Sequence, residues 1–329
     1  MTHVADAHSS LLDVKDLTVG FADARGIFLP TNRVNFTVQR NQTLGVLGES
    51  GCGKSVTLRS LMQLVPYPGE IIGGTIAWKG RDLRGRSARE MSSIRGSEIS
   101  MIFQDPASCL NPAFTVGNQI IETLRVKAGL AASAARSRAA ELLDHVGIAS
   151  AKERLTLYPH QLSGGMRQRV MIAMAIATKP DLLLADEPTT ALDVTIQDQI
   201  LTLLANLKGE TGMSMVVVSH DVGVIAQNCD VIVVMYAGHV LESGPAQAVV
   251  HAPRHPYTRA LLDAVPKLGR GGRRRPLASI PGQPPSLATL PAGCPFQPRC
   301  PHRRDGCEEV TPRLDKALPD HGSACPMVN

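Results

Sequence analysis

The sequence predicts an α/β fold: a mainly parallel sheet, a helical insert within it, and a small loop-rich C-terminal domain. Three observations carry this. Over residues 11–244, apolar runs of strand length alternate with stretches of helical periodicity, the pattern of parallel strands joined by helices. Residues 105–165 interrupt that alternation with alanine-rich text, in which 116–127 and 131–146 both have helical spacing. Past Pro245 proline becomes frequent, cysteines gather and periodicity fades. The 329 residues therefore divide into 1–245 and 246–329, one large domain and one small.

Composition bounds the function. Hydrophobic residues make up 43% and charged residues 19%, ordinary for a soluble chain with a proper core. A net charge of +5 permits an anionic neighbour without demanding one. Aromatics at 3% are too sparse for a base-stacking platform, and no nucleic-acid partner is expected. No apolar run approaches the roughly 18 residues that span a bilayer. Residues 1–10 lack the apolar core of a secretory signal. The expected location is cytoplasmic, with any membrane role running through partners.

The elements follow in order. Residues 11–19 alternate as a strand, and 32–38 and 43–47 are further strands. Between them, 21–31 reads as a turn-rich connection. Phe21, after the first strand, has two readings: a ring stacked on adenine, or a core or hairpin aromatic. Residues 71–78 are a strand, 82–95 polar and partly helical, and 98–103 a strand ended by Gln104-Asp105-Pro106. Helices are expected at 166–177, 194–207 and 222–229, and strands at 181–185, 215–219, 231–236 and 239–242. Residues 269–276, G-R-G-G-R-R-R-P, read as a solvated linker, or as a contact for phosphate or anionic lipid.

The chemistry starts between the strand at 43–47 and the helical stretch at 56–65. The sequence there is Gly48-Glu49-Ser50-Gly51-Cys52-Gly53-Lys54-Ser55, followed by Val56, and it matches the phosphate-binding loop G-x-x-x-x-G-K-[ST]. The glycines allow backbone conformations that a Cβ obstructs and bring N–H groups close to an anion. The following helix adds its unpaired N–H groups and positive dipole end. Lys54 suits the β- and γ-phosphates, and the Ser55 hydroxyl suits Mg²⁺.

Two further features belong with that loop. The apolar run 182–185 ends in Asp186-Glu187: one carboxylate suited to Mg²⁺, the next suited to polarising a water for in-line attack. Leu162-Ser163-Gly164-Gly165-Met166 opens a helix with a hydroxyl and two glycine amides, a second anion-binding edge or simply a capped tight turn. His220 ends a strand. Of seven cysteines, Cys294, Cys300, Cys307 and Cys325 cluster as C-x5-C-x6-C-x17-C. Four thiolates suit a [4Fe–4S] cluster or zinc, and free thiols are the third reading. The wide first spacing favours iron–sulfur over zinc.

Together these residues resemble the ATP-binding subunits of ABC transporters over residues 11–244. The resemblance implies a phosphate-loop NTPase core, ATP and Mg²⁺. It makes Phe21 the adenine-stacking residue and gives nucleotide contacts to Gly48, Glu49, Ser50, Gly51, Cys52, Gly53, Lys54, Ser55 and Val56. Ser163, Gly164 and Gly165 are the family signature, with Met166 where Gln is commoner. Ser55, Gln104 and Asp186 are implied as Mg²⁺ ligands, and Glu187, His220 and Gln104 as catalytic residues. Ala191-Leu192-Asp193 matches the loop at the dimer seam.

The tail, with His255-Pro256-Tyr257-Thr258 and the cysteine cluster, resembles the C-terminal extension of oligopeptide/dipeptide importer ATPases, whose members with this spacing are associated with [4Fe–4S]. This implies ATP hydrolysis driving uptake of di- or oligopeptides. The implied partners are a second ABC ATPase subunit in a heterodimer, two transmembrane permease subunits and a separate solute-binding protein, at the cytoplasmic face of the cell membrane. Nickel or another small solute is the alternative cargo. A soluble ABC-type ATPase acting on nucleic acid or ribosomes, and a phosphate-loop kinase, are the rival classes.

Overall fold

The computed structural model describes residues 10–24, 26–190, 192–265, 279–310, 312–314 and 321–325. The chain forms two compact units, Met1–Gly85 with Val218–Asn329, and Arg86–Val217.

The first unit opens with β1 (Leu12–Asp23), β2 (Gly26–Val38) and β3 (Thr43–Leu47), then α1 (Lys54–Leu61), β4 (Gly69–Trp78) and β5 (Arg81–Asp82). Strands β2, β1, β4 and β5 lie side by side as an antiparallel sheet. Val14 and Leu17 of β1 are both fully buried although an odd number of positions separates them. A register shift between them, with Asp16 at φ 48°, supplies the extra residue that keeps both on the core face. The Asp16 N–H donates to Asn35 Oδ1 at 2.9 Å and steadies the bulge.

The turn-rich connection expected at 21–31 is not found; this stretch is a hairpin. Phe21 pairs with Phe28 and Asp23 with Gly26. Pro30 is accommodated because β2 is the edge of its sheet, where a missing N–H costs no ladder bond. The mainly parallel sheet read from the sequence did not anticipate this antiparallel one.

The second unit contains α2 (Ala88–Ile94), β6 (Ile99–Ile102), α3 (Pro106–Cys109), α4 (Val116–Lys127), α5 (Ala132–His145), α6 (Ala151–Arg154), α7 (Gly164–Ile176), β7 (Leu182–Asp186) and α8 (Val194–Thr211). Strand β8 (Ser214–Ser219) carries the chain back to the first unit. Strands β6 and β7 pair in parallel and are buried along their whole length, as expected of strands covered on both faces. Helix α5 buries Ala135, Ala139, Ala140, Leu142 and Leu143 on one face, which is the periodicity read in the sequence. Helix α8 runs one turn beyond its apolar pattern and stops at Gly212, φ 69°.

The first unit resumes with α9 (Val222–Asn228), β9 (Val231–Tyr236), β10 (His239–Pro245), α10 (Ala246–His251), α11 (Pro256–Asp263) and β11 (Gly322–Ser323). Strand β9 pairs in parallel with β3 and antiparallel with β10. A two-residue turn joins β9 to β10, with Ala237 at φ 46° and Gly238 at φ 84°, the left-handed pair that such hairpins require. The tail then adds β11 to β10, with Glu242 opposite Ser323.

An aromatic cluster holds the tail. Tyr236 of β9, Tyr257 of α11 and Phe296 are fully buried, with ring centroids 4.6–5.4 Å apart. Glu242, also fully buried, accepts from the Arg254 and His255 N–H groups at 2.8 and 2.7 Å, and its Oε1 lies 2.6 Å from His321 Nε2. The basic segment 269–276 lies outside the described residues. Among the described residues no helix is long and apolar enough to cross a membrane.

Candidate functional site

The glycine loop hangs between β3 and α1. Strand β3 is buried at every position and delivers the chain to Gly48. A Cβ at Gly48 would stand 2.2 Å from the Met235 carbonyl oxygen, and one at Gly53 would stand 1.8 Å from that of Pro30. Gly53 also has φ 104°, so no other residue fits there. A Cβ on Gly51, φ 79°, would meet nothing within 4 Å. The loop is thus packed tightly at its two ends and open at its middle.

Lys54 is buried at the first position of α1 and donates through Nζ to the carbonyl oxygens of Gly48 at 2.8 Å and Glu49 at 3.0 Å. Cys52 Sγ is 3.9 Å from the same ammonium. Burial raises the Cys52 thiol above its ordinary pKa, against the lowering influence of Lys54, so it stays a neutral, packed thiol. Ser50 is exposed, while Ser55 and Val56 are half-buried on the first turn of α1.

Sequence reasoning missed what surrounds Glu49. Its N–H donates to the Tyr257 hydroxyl at 2.9 Å. Its carboxylate accepts two bonds from Arg299, at 2.7 and 3.0 Å. Burial alone would lower the Arg299 pKa, but Glu49 and the Tyr236 hydroxyl raise it above the ordinary guanidinium value. No local motif reveals a contact 250 positions apart.

In the same unit, His220 is exposed at the end of β8, just before Asp221 caps α9 by accepting from the Gly223 N–H at 2.7 Å. Phe21 lies in β1 and stacks on Phe28, centroids 5.5 Å apart, so the hairpin contact posed as the alternative to adenine is made.

The second unit holds the carboxylates and the serine-glycine segment. Asp186, the last residue of β7, is buried, and Glu187 follows at φ 46°. The left-handed backbone turns the Glu187 side chain away from the strand direction. Glu187 Oε2 accepts from Gln104 Nε2 at 3.0 Å and from the Thr190 hydroxyl at 2.8 Å. The structure therefore brings together two predicted residues, Gln104 and Glu187, and adds Thr190, which no motif singles out. Ser163 is exposed and caps α7 by accepting from the Met166 N–H at 3.3 Å, with Gly164 and Gly165 forming the helix's first turn. Asp193 caps α8 likewise, accepting from the Ile196 N–H at 2.9 Å. Ala191 lies outside the described residues.

The four tail thiols lie near one another. Burial pushes the Cys294 thiol up to about 11, and Cys325, Cys300 and Cys307 add to that rise. The four therefore share one electrostatic neighbourhood. Yet among the described residues no group of three or more His, Cys, Asp or Glu is arranged to hold a metal ion. The placement of the thiols thus adds nothing to the ligand set expected from the sequence, and the aromatic cluster is what packs this part of the tail.

The ABC transporter family profile matches residues 31–190. Over 316 residues the chain is 47% identical to the dipeptide transport ATP-binding protein DppD of Escherichia coli, covering 96% of both chains. The chain belongs to the ABC transporter ATP-binding family. To the oligopeptide transport ATP-binding protein OppD of Salmonella typhimurium it is also 47% identical, over 96% of this chain and 93% of the other. The oligopeptide/dipeptide transporter C-terminal region matches residues 241–307. Among solved structures, the ABC cassette MJ0796, in a dimer bound to ADP and Pi, superposes with a TM-score of 0.65 at 28% identity, covering 71% of this chain and 98% of that one. CbiO1 of Clostridium perfringens gives a TM-score of 0.62 at 25% identity, over 75% and 97%.

As an ABC ATPase the chain has a phosphate-loop NTPase core, and the family works with ATP and Mg²⁺. The glycine loop fits a polyphosphate: its middle is open, its ends are fixed, and an ammonium is held inside it.

Proposed function

We propose that this chain hydrolyses ATP to power the import of di- or oligopeptides. The observation that carries the catalytic part is the Glu187 carboxylate, held at the end of a buried strand by Gln104 and Thr190. In this reading Lys54 and the loop amides take the phosphates, and Phe21 contributes to the adenine pocket. Ser55, Gln104 and Asp186 are the Mg²⁺ ligands, and the ion supplies charge neutralisation on the transferred phosphoryl group. Glu187 orients and polarises the attacking water, and His220 contacts the γ-phosphate. Ser163, Gly164 and Gly165 offer hydroxyl and amide donors to the nucleotide of a second ATPase subunit.

ATP bound between two such subunits stabilises their closed arrangement, and hydrolysis releases it. Differential affinity for the closed state moves the attached permease subunits. We assign the chain to the cytoplasmic face of the membrane, in a heterodimer on two permease subunits served by a separate binding protein. Residues 1–245 are then the motor and 246–329 the importer-specific extension. Peptide as cargo draws its support from the dipeptide and oligopeptide relatives and the matching C-terminal region. The [4Fe–4S] reading of Cys294, Cys300, Cys307 and Cys325 draws support only from the mutual proximity of the thiols.

Reconstitution in vesicles with permease and binding-protein partners tests the reading. ATP hydrolysis is expected to rise several-fold with di- or tripeptides and to ignore nickel. Stimulation by nickel alone, or by nucleic acid in the absence of the permeases, would replace peptide import with the corresponding alternative.

A further inference from the structure

The tail reaches the phosphate loop through one side chain. Arg299 sits on a single helical turn, Gln297–Arg299, between Cys294 and Cys300. Only 5% of its side chain is exposed. Besides the fork on Glu49, its Nε donates to the Pro281 carbonyl at 2.9 Å and its NH1 to the Tyr236 hydroxyl at 3.2 Å. Its NH2 also donates to the Ile280 carbonyl at 3.4 Å, so the guanidinium is fixed by the tail and by β9 while its fork holds the second residue of the loop.

A carboxylate at that position is an electrostatic problem. The Glu49 carbonyl already accepts from Lys54, so the carboxylate belongs to the same short loop as the ammonium that receives the phosphates. An unpaired carboxylate there would repel a polyphosphate and compete for the lysine. A two-bonded guanidinium cancels the charge and fixes its direction, which a lysine's point charge does less well. Tyr257 takes the Glu49 N–H as well, so both polar groups of Glu49 that could face an anion are drawn to the tail.

We propose that Arg299 is a positioning residue for nucleotide: it draws the Glu49 carboxylate into the tail and neutralises it, so that the loop meets ATP as a cationic surface. The C-terminal extension is thereby part of the ATP-binding apparatus. This rests on the reading of the loop as the ATP site.

The test is MgATP affinity of the purified full-length chain by titration calorimetry, with a melting curve for each variant. Arg299→Met is expected to weaken binding on the order of tenfold, because it strands the carboxylate. Adding Glu49→Gln to that variant should recover most of the loss, since the stranded charge is gone. A residue that served only to hold the fold would not be rescued by removing its partner's charge.

Unchanged affinity in Arg299→Met, or no recovery in the double variant, overturns the proposal. Arg299→Lys keeps the charge but not the fork, and is expected to lose some affinity, less than the roughly tenfold of Arg299→Met. That variant decides alone if Arg299→Met does not fold, because a tenfold loss there would make shape, not charge, the requirement. Lys54→Ala separates the two claims. If it loses MgATP while Arg299→Met does not, only the Arg299 assignment falls. If it also binds normally, the phosphate reading has failed and this inference with it.

Discussion

Lys54 donates through Nζ to the backbone carbonyl oxygen of Gly48 at 2.8 Å, so the ammonium of α1 is anchored to the start of the loop that precedes it. The carbonyls of Gly48 and Glu49 take two of its three donors, and the third makes only a long contact to Cys52 Sγ at 3.9 Å, which a ligand oxygen would readily replace. The charge is therefore preorganised.

The Lys54→Ala variant is expected to lose MgATP affinity by at least about a hundredfold. Calorimetric titration checks this, and melting within a few degrees of the unmodified chain would show that the loss is local.

Gln104→Ala removes a donor to Glu187 Oε2 and leaves the Thr190 hydroxyl in place. Thr190 still restrains the carboxylate, so the expected loss in kcat is moderate, about tenfold, and MgATP affinity should fall by several-fold because a proposed Mg²⁺ ligand is also removed. Steady-state ATPase assays with the reconstituted complex measure both. A kcat unaffected by the change would remove Gln104 from the group that positions Glu187.

Much of this architecture was legible in the sequence because it rests on local pattern. The apolar run 43–47, the glycines and Lys54 specify strand, loop and helix through short-range chemistry, and β3 and α1 form there. Asp186 and Glu187 were legible because an apolar strand leads straight into them. The β1–β2 hairpin was not, since Pro30 reads as a breaker until one knows that its strand is an edge. Nor were Arg299 with Glu49, or the tyrosine pair that seats the tail: their partners come together only once β9, α11 and the tail have packed. The four cysteines read as ligands from their spacing and from the resemblance of the tail, with free thiols as the alternative, because spacing does not fix where thiols point.

His255 gives a pH dependence with a definite sign. It caps α11 through Nδ1, which accepts from the Tyr257 N–H at 3.1 Å, and burial lowers its pKa to about 3. The folded chain holds this histidine neutral, while the unfolded chain protonates it near 6.5. Stability from this residue is complete above about pH 6.5 and is lost as the pH falls toward 3, by at most about 5 kcal/mol. Denaturant melts between pH 8 and pH 4 should show a slope that flattens in His255→Asn, which keeps a capping acceptor.

The tail thiols give a prediction in which metal content and stability are read together. If a cluster or zinc is held, Cys294→Ser with Cys300→Ser removes stoichiometric iron or zinc from the anaerobically purified chain and lowers its melting temperature. Unchanged metal content and melting would leave them as free thiols packed beside the aromatic cluster.

The most direct test of the account is Glu187→Gln, which preserves the shape and both hydrogen-bonding positions while removing the charge that polarises water. The account predicts MgATP binding within about threefold of the unmodified chain and steady-state hydrolysis down by a hundredfold or more. Hydrolysis that persists near the original rate in that variant would contradict it.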